Sequence, residues 1–227
     1  MRMRKKPGTE DKLAVIGDLL VRKPEELKGH WRRAFSAEQP VHLELGCGKG
    51  QFITGLAARH PGISFVAVEI KGEVILQAIE RAEAMGLTNV RFIHGNVRHL
   101  HEWFAEDEVS HLYLNFSDPW PKGRHDKRRL THHRFLKSYS RILTASGWVH
   151  VKTDNRDLFE FTLNQCLDLD LKLKNISLDL HGILPRGKYE RSVQEDIVTT
   201  EYEDRFTRMG LPIYYAEISL RPIKAKP

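Results

Sequence analysis

Seven positions in this chain combine chemistry-bearing or glycine residues with the end of an apolar run: Glu44, Gly46, Gly48, Glu69, Asn96, Asp118 and Asp154. In open α/β sheets, ligands bind beyond the carboxyl ends of the strands, so residues recurring at such ends are candidates for one shared site. The glycines of Gly46-Cys47-Gly48-Lys49-Gly50 let the backbone pass close to a ligand, because a side chain there would occupy its space. Glu69 ends the next apolar run, where an acid accepts hydrogen bonds from a ribose diol. An asparagine such as Asn96 can accept from an adenine amino group and donate to a ring nitrogen, although it also suits a simple turn.

A dehydrogenase would place glycines and an acid in the same way, but two details argue against a dinucleotide. Position 51 is glutamine, so the third glycine of a G-x-G-x-x-G turn is missing. Glu44, directly before the turn, would repel a pyrophosphate and suits a cation instead. A sulfonium that also carries an α-amino group, S-adenosylmethionine, fits both details.

The second constellation is the stretch LYLNFSDPWPKGRHDKRR, residues 112–129. Its apolar start reads as a buried strand, and Asp118 falls where that strand would leave the sheet. Pro119 and Pro121 flank Trp120, restricting the backbone at several successive residues. Lys122, Arg124, Lys127, Arg128 and Arg129 follow, with His125 and a single acid, Asp126, among them. A carboxylate on a stiffened turn, an aromatic plate and a cationic tail together suggest an enzyme of nucleic acids. A proline-rich turn leading into a solvated charged loop is the plainer reading of the same residues. His132 and His133 are adjacent, so they point different ways on a helix and no metal site is expected.

These residues need a scaffold, and the pattern of the chain supplies one. Strands are predicted at 41–45, 64–68, 90–93, 112–116 and 148–152, with a last pair near 171–180 and 213–220. Helices are predicted between them at 51–60, 72–85, 97–104, 132–143 and 157–167. Alternation at this spacing means βαβ units: an α/β fold, a mainly parallel sheet and helices on both faces. Residues 41–227 read as one domain. Residues 1–40 read as a basic extension, a mobile arm over 1–10 followed by a short helix at 24–35 that Gly29 weakens.

Lysine and arginine number 36 against 30 acids, giving a net charge of +6. The excess is clustered, with Arg2, Arg4, Lys5 and Lys6, then Arg22, Lys23, Lys28, Arg32 and Arg33, then the loop after Asp118, which suggests a polyanionic partner. Two distant cysteines, Cys47 and Cys166, form neither a disulfide framework nor a zinc motif. No apolar run reaches the roughly 20 residues of a membrane span, and no secretion signal is evident, so a cytoplasmic protein is expected.

At these residues the chain resembles the bacterial tRNA (guanine-N7-)-methyltransferases. The similar segments are ELGCGKGQF (44–52), AVEIK (67–71), YLNFSDPWPKGRHDKRRL (113–130), KTDN (152–155), TEYEDRF (200–206) and GLPIYYAE (210–217). The SDPWPK segment with its basic continuation is highly specific, whereas many methyltransferases share the glycine turn. The resemblance implies a Rossmann-like class I methyltransferase fold with a seven-stranded sheet. It also implies S-adenosylmethionine as donor and N7 of a guanine in the tRNA variable loop as acceptor. It implies cofactor contacts at Glu44, Glu69, Asn96 and Asp118, with Asp118 also the proposed catalytic carboxylate. Substrate contacts are implied at Lys122, Asp154, Thr200, Glu201, Tyr202 and Glu203, and RNA contacts over Arg124, His125, Asp126, Lys127, Arg128 and Arg129. Asn96 stands where many members have aspartate, and residues 183–198 are longer than the corresponding loop. Monomer and homodimer both remain open.

Two other readings compete. A methyltransferase acting on an exocyclic amine would carry a polar-Pro-Pro-aromatic turn after its fourth strand, where this chain has Ser-Asp-Pro-Trp. An RNA-binding protein on a degenerate methyltransferase fold has no use for Glu44, Glu69, Asp118 and Asp154.

Overall fold

The chain builds its centre from short strands rich in apolar residues, as strands covered on both faces must be, with a few buried polar residues among them. The structure, a computed structural model, describes residues 8–35, 38–182 and 198–222. Five parallel strands come first: β1 (Val41–Leu45), β2 (Ser64–Glu69), β3 (Val90–His94), β4 (Val109–Asn115) and β5 (Leu143–Thr153). β6 (Leu171–Ser177) and β7 (Tyr214–Pro222) complete a seven-stranded sheet in the order β3-β2-β1-β4-β5-β7-β6, with β7 antiparallel to both neighbours. β1 and β2 are buried at every residue.

Helices cover both faces. On one, α1 (Thr9–Val15), α2 (Gln51–Arg59) and α3 (Gly72–Ala84) share a core that includes Leu13, Ile53, Leu56, Ile75 and Ile79. On the other, α4 (Leu100–Trp103), α5 (His133–Ile142) and α6 (Arg156–Asp168) enclose a core that includes Trp31, Leu112, Leu136 and Cys166. The eight-residue α7 (Glu201–Arg208) precedes β7. Among the described residues no helix is long and apolar enough to cross a membrane.

The single helix expected over 24–35 is not formed. Two 3-10 turns, Pro24–Leu27 and Trp31–Ala34, replace it, and Gly29 lies between them at φ 78°. The break lets Trp31 enter the core completely, where its Nε1 donates to the Trp103 carbonyl at 2.8 Å and its ring stacks on Phe104. The carboxylate of Glu108 accepts from the N–H groups of Gly29 and Trp31, which a continuous helix would have bonded internally. The helix expected over 97–104 is likewise a 3-10 turn, Val97–His99, leading into α4. Of the arm expected over 1–10, residues 1–7 lie outside the described residues, and α1 begins at Thr9. Leu13 and Leu20 are buried, Leu13 in the core shared with α3, and the backbone of residues 19–21 hydrogen-bonds to Phe92 of β3. β5 starts at Leu143, directly from α5 and earlier than the Trp148 start expected, with Gly147 inside it. Of the long stretch 183–198, all but Val198 lies outside the described residues.

Candidate active site

A cavity of about 720 Å³ opens beyond the carboxyl ends of β1, β2, β3 and β4. It gathers Glu44, Gly46, Gly48, Glu69, Asn96 and Asp118, residues spread over 75 positions of sequence. The parallel register sets them side by side: Glu44 pairs across to Ala67 on β2 and Tyr113 on β4, one residue or two short of each strand's end.

Its floor is Glu44. The side chain is 1% exposed; Oε1 accepts from Nδ2 of Asn115 at 2.9 Å, and Oε2 has no partner. Asn115 Oδ1 is equally buried and unpartnered. Burial raises the Glu44 carboxyl from 4.5 to about 7, against the lowering effects of the Asn115 hydrogen bond and the Lys152 charge. Two buried acceptors without donors are costly unless a ligand supplies them, and a cation would also return Glu44 to its ionised form.

The glycine turn forms the next wall. Gly46, Gly48 and Gly50 have φ of 77°, 57° and 78°. A Cβ on Gly46 or Gly48 would meet no protein atom within 4 Å, so the space beside these two belongs to the cavity. Gly50 differs, because a Cβ there would come within 2.7 Å of the Ala78 Cβ and press the turn off α3. The Glu69 carboxylate knits the turn to the next loop, accepting from Gly48 N–H with one oxygen and from Ile70 and Lys71 N–H with the other. Its remaining lone pairs can take ribose hydroxyls. Asn96 accepts the Arg98 N–H with Oδ1 and caps the 3-10 turn, leaving its amide N–H groups to the cavity.

Asp118 stands on the opposite wall and is exposed to the cavity. Two residues near it, Phe116 at φ 51° and Trp120 at φ 43°, occupy the left-handed region that bulky side chains avoid. Such backbone persists only where its surroundings hold it. Phe116 N–H donates to the Lys152 carbonyl, and the Arg129 guanidinium donates to the carbonyls of Pro119 and Trp120. The Trp120 ring meets His125 edge-on and carries Arg128 above its face at 4.9 Å.

α7 supplies the last wall. Thr200 and Glu203 form a reciprocal capping box at its start. Glu201 reaches Lys49 of the glycine turn at 2.9 Å and Arg81 of α3 at 3.3 Å, while Asp204 accepts from Gln51 at 2.8 Å. Tyr202 is exposed and stacks with Phe116 and Phe206.

Three residues expected as contacts have their side chains engaged by partners within the chain. Glu203 is fully buried beneath α7, where Lys152 donates to it at 3.1 and 3.2 Å and His181 approaches at 2.8 Å. Although burial opposes ionisation, His181 and Lys152 hold its carboxyl below the usual range. It therefore supports α7 and does not line the cavity. Asp126 accepts from the Lys127 N–H and orders its own 3-10 turn, Gly123–Arg128, where an anion is poorly suited to phosphate. Arg129 is bound to the motif's own carbonyls. Of the other expected substrate residues, Thr200, Glu201 and Tyr202 line the cavity, whereas Lys122 and Asp154 stand outside its wall. Asp154, just beyond β5, has its carboxyl raised by partial burial. Arg124 and Lys127 are exposed.

Asn115 lines this cavity, Lys152 supports it by holding Glu203 and by its charge near Glu44, and neither is among the residues expected from sequence. Each is a polar residue near the end of an apolar strand, in LYLN and VHVK, which is a readable signal. Behind them a smaller cavity of about 260 Å³ is lined by His42, His111 and His150. Burial lowers all three imidazoles, His42 to about 3. A hydrogen-bonded row runs from His111 through His150 and Tyr215 to Glu217.

This strand order, with unmet acceptors beneath a glycine turn and acids at successive strand ends, defines a class I S-adenosylmethionine-dependent methyltransferase. Residues 38–216 match the family model described as "Putative methyltransferase". A tRNA (guanine-N(7)-)-methyltransferase of Brevibacillus brevis is 46% identical over 96% of this chain and 98% of its own. The protein of the same name from Clostridioides difficile is 45% identical over 97% of this chain and 100% of its own. Among solved structures, the 16S rRNA methyltransferase KamB shares the fold at a TM-score of 0.58 and 14% identity, covering 84% of this chain and 91% of that one. The chain belongs to the tRNA (guanine-N(7)-)-methyltransferase family.

Proposed function

We propose that this protein transfers the methyl group of S-adenosylmethionine to N7 of a guanine in the tRNA variable loop. S-adenosylmethionine, when bound, supplies a methyl carbon made electrophilic by the attached sulfonium. Guanine N7 offers an in-plane lone pair and carries no proton, so no general base is required. The chain's task is alignment, together with negative charge where a cation develops on the purine.

Glu44 and Asn115 offer acceptors to the cofactor's ammonium end, Glu69 holds the ribose and Asn96 the adenine. Asp118 provides fixed negative charge beside the reacting atoms, and Asp154 helps to position the guanine from the rim. Lys122, Arg124, His125, Lys127 and Arg128 receive the RNA, with phosphate taken by the lysines and arginines. A tRNA substrate places the protein in the cytoplasm, as a monomer or a homodimer.

The observation that carries this reading is that Asp118, on a strained turn leading into a basic segment, faces the same cavity as the unmet acceptors of Glu44 and Asn115. The test is incubation with labelled S-adenosylmethionine and unmodified tRNA, followed by nucleoside analysis. Label should appear as N7-methylguanosine and the tRNA should become cleavable by borohydride and aniline; label on an exocyclic amine would refute the assignment. Asp118→Asn should bind tRNA normally and turn over far more slowly, and a wild-type rate in that variant would remove the role given to Asp118.

A further inference from the structure

Arg129 ends the basic segment, and charge alone would group it with Arg124, Lys127 and Arg128 as a phosphate ligand. Its surroundings are different. Nε donates to the Pro119 carbonyl at 3.0 Å and Nη2 to the Trp120 carbonyl at 3.2 Å. The guanidinium also lies 4.3 Å from the centroid of Phe161, a ring carried by α6. The residue's own backbone is pinned at both ends: its N–H donates to Asp126, and its carbonyl accepts from His132.

The two carbonyls that Arg129 holds belong to the residues directly after Asp118. One of them, Trp120, is in the left-handed region at φ 43°. Pro119 and Pro121 have no N–H to donate, so this turn cannot close itself with backbone bonds in the ordinary way. An external planar donor must span it, and an arginine fork does so where a lysine, with its compact ammonium, does not. The base of the fork rests on α6, which makes the carboxylate's place in the cavity depend on a packed helix.

We infer that Arg129 is a positioning residue for methyl transfer, which fixes the Asp118 turn against α6 and contributes nothing to the phosphate contacts of the basic segment. The inference rests on the reaction proposed above.

The experiment compares wild type, Arg129→Ala, Arg129→Lys and the double variant Lys127→Ala with Arg128→Ala. Each is assayed for kcat at saturating tRNA, and for tRNA affinity across a range of salt concentrations. Misplacement of a reacting geometry by ~1 Å costs on the order of 100-fold in rate, so kcat should fall roughly 10- to 100-fold in Arg129→Ala. The slope of log affinity against log salt should match wild type. Arg129→Lys keeps the charge and should show nearly the same loss. The double variant calibrates the slope, which should flatten by roughly 0.7–0.9 for each phosphate contact removed. A flattened slope with unchanged kcat in Arg129→Ala, or wild-type kcat in Arg129→Lys, overturns the inference. Should the alanine variant not fold, the lysine variant decides by kcat, since it keeps the charge that the salt slope reads. A wild-type protein that leaves tRNA unmethylated overturns the reaction and this role together, whereas an active wild type beside a fully active Arg129→Lys overturns this role alone.

Discussion

Replacing Glu44 by glutamine should stabilise the cofactor-free protein near pH 8 and change it little near pH 5. The buried carboxyl releases its proton at about 7 in the folded chain, against 4.5 ordinarily. Between those values the folded state holds a proton that the unfolded state has lost, so stability is present at low pH and is lost as pH rises through about 7. Over the interval from about pH 5 to about pH 8 the loss amounts to about 2–3 kcal/mol. Glutamine has nothing to ionise, and its amide matches the site: the oxygen accepts from Asn115 Nδ2, and the N–H₂ group replaces the unpartnered Oε2. Urea unfolding of both proteins at both pH values gives the difference of differences. That quantity cancels the imidazoles of His42, His111 and His150, which act with the opposite sign. Their lowered pKa values mean that the unfolded chain takes up protons first, so their share of stability falls as pH drops below about 6.5. If the two proteins differ by the same amount, within about 0.5 kcal/mol, at both pH values, the reasoning about Glu44 is wrong. Calorimetry should show the same variant failing to bind S-adenosylmethionine, so that affinity and stability move in opposite directions.

Lys152→Met strips the cation from a carboxylate that is fully buried, a change that costs about 3–5 kcal/mol in such pairs. His181 and the Thr200 N–H still serve Glu203, which sets the expectation near the lower limit, and Glu203→Gln added to Lys152→Met should recover part of the loss. A change below about 1 kcal/mol in urea would show that the pair does not hold α7. Gly50→Ala should lose about 2–4 kcal/mol, because its methyl meets Ala78 at 2.7 Å in addition to the left-handed backbone. Gly46→Ala carries only the backbone cost but fills cavity space, so it should weaken cofactor binding in calorimetry more than it lowers stability. Equal losses of stability in the two variants would contradict that division.

The parallel core was legible because its strands are short apolar runs closed by glycine or acid, and strands of that kind lead side chains to one edge of a sheet. Gly46, Glu69 and Asp118 could be assigned to one pocket on that ground alone. What the pattern could not reveal was competition for a side chain. Glu203 and Arg129 carry the charges expected of substrate and phosphate contacts, yet both are held by partners far away in sequence or across a turn: Lys152 for one, the Pro119 and Trp120 carbonyls for the other. Local propensity also misjudged residues 24–35. Their acidic first turn and Pro24 suit a helix, but burying Trp31 under Phe104 required the chain to bend at Gly29. The row His42, His111, His150 gave no signal, since each histidine is an ordinary alternate residue of its strand until the sheet aligns them.

The wall contributed by α7 has a consequence for how the molecule comes into being. A ribosome releases the glycine turn long before Asp204, which grips Gln51 across 153 residues. β7 follows later still, and β6 has no neighbour in the sheet until β7 arrives to separate it from β5. A nascent chain that has not yet reached α7 thus displays the turn without this wall. The enclosure waits for α7 and β7, and contacts closed over such distances assemble slowly.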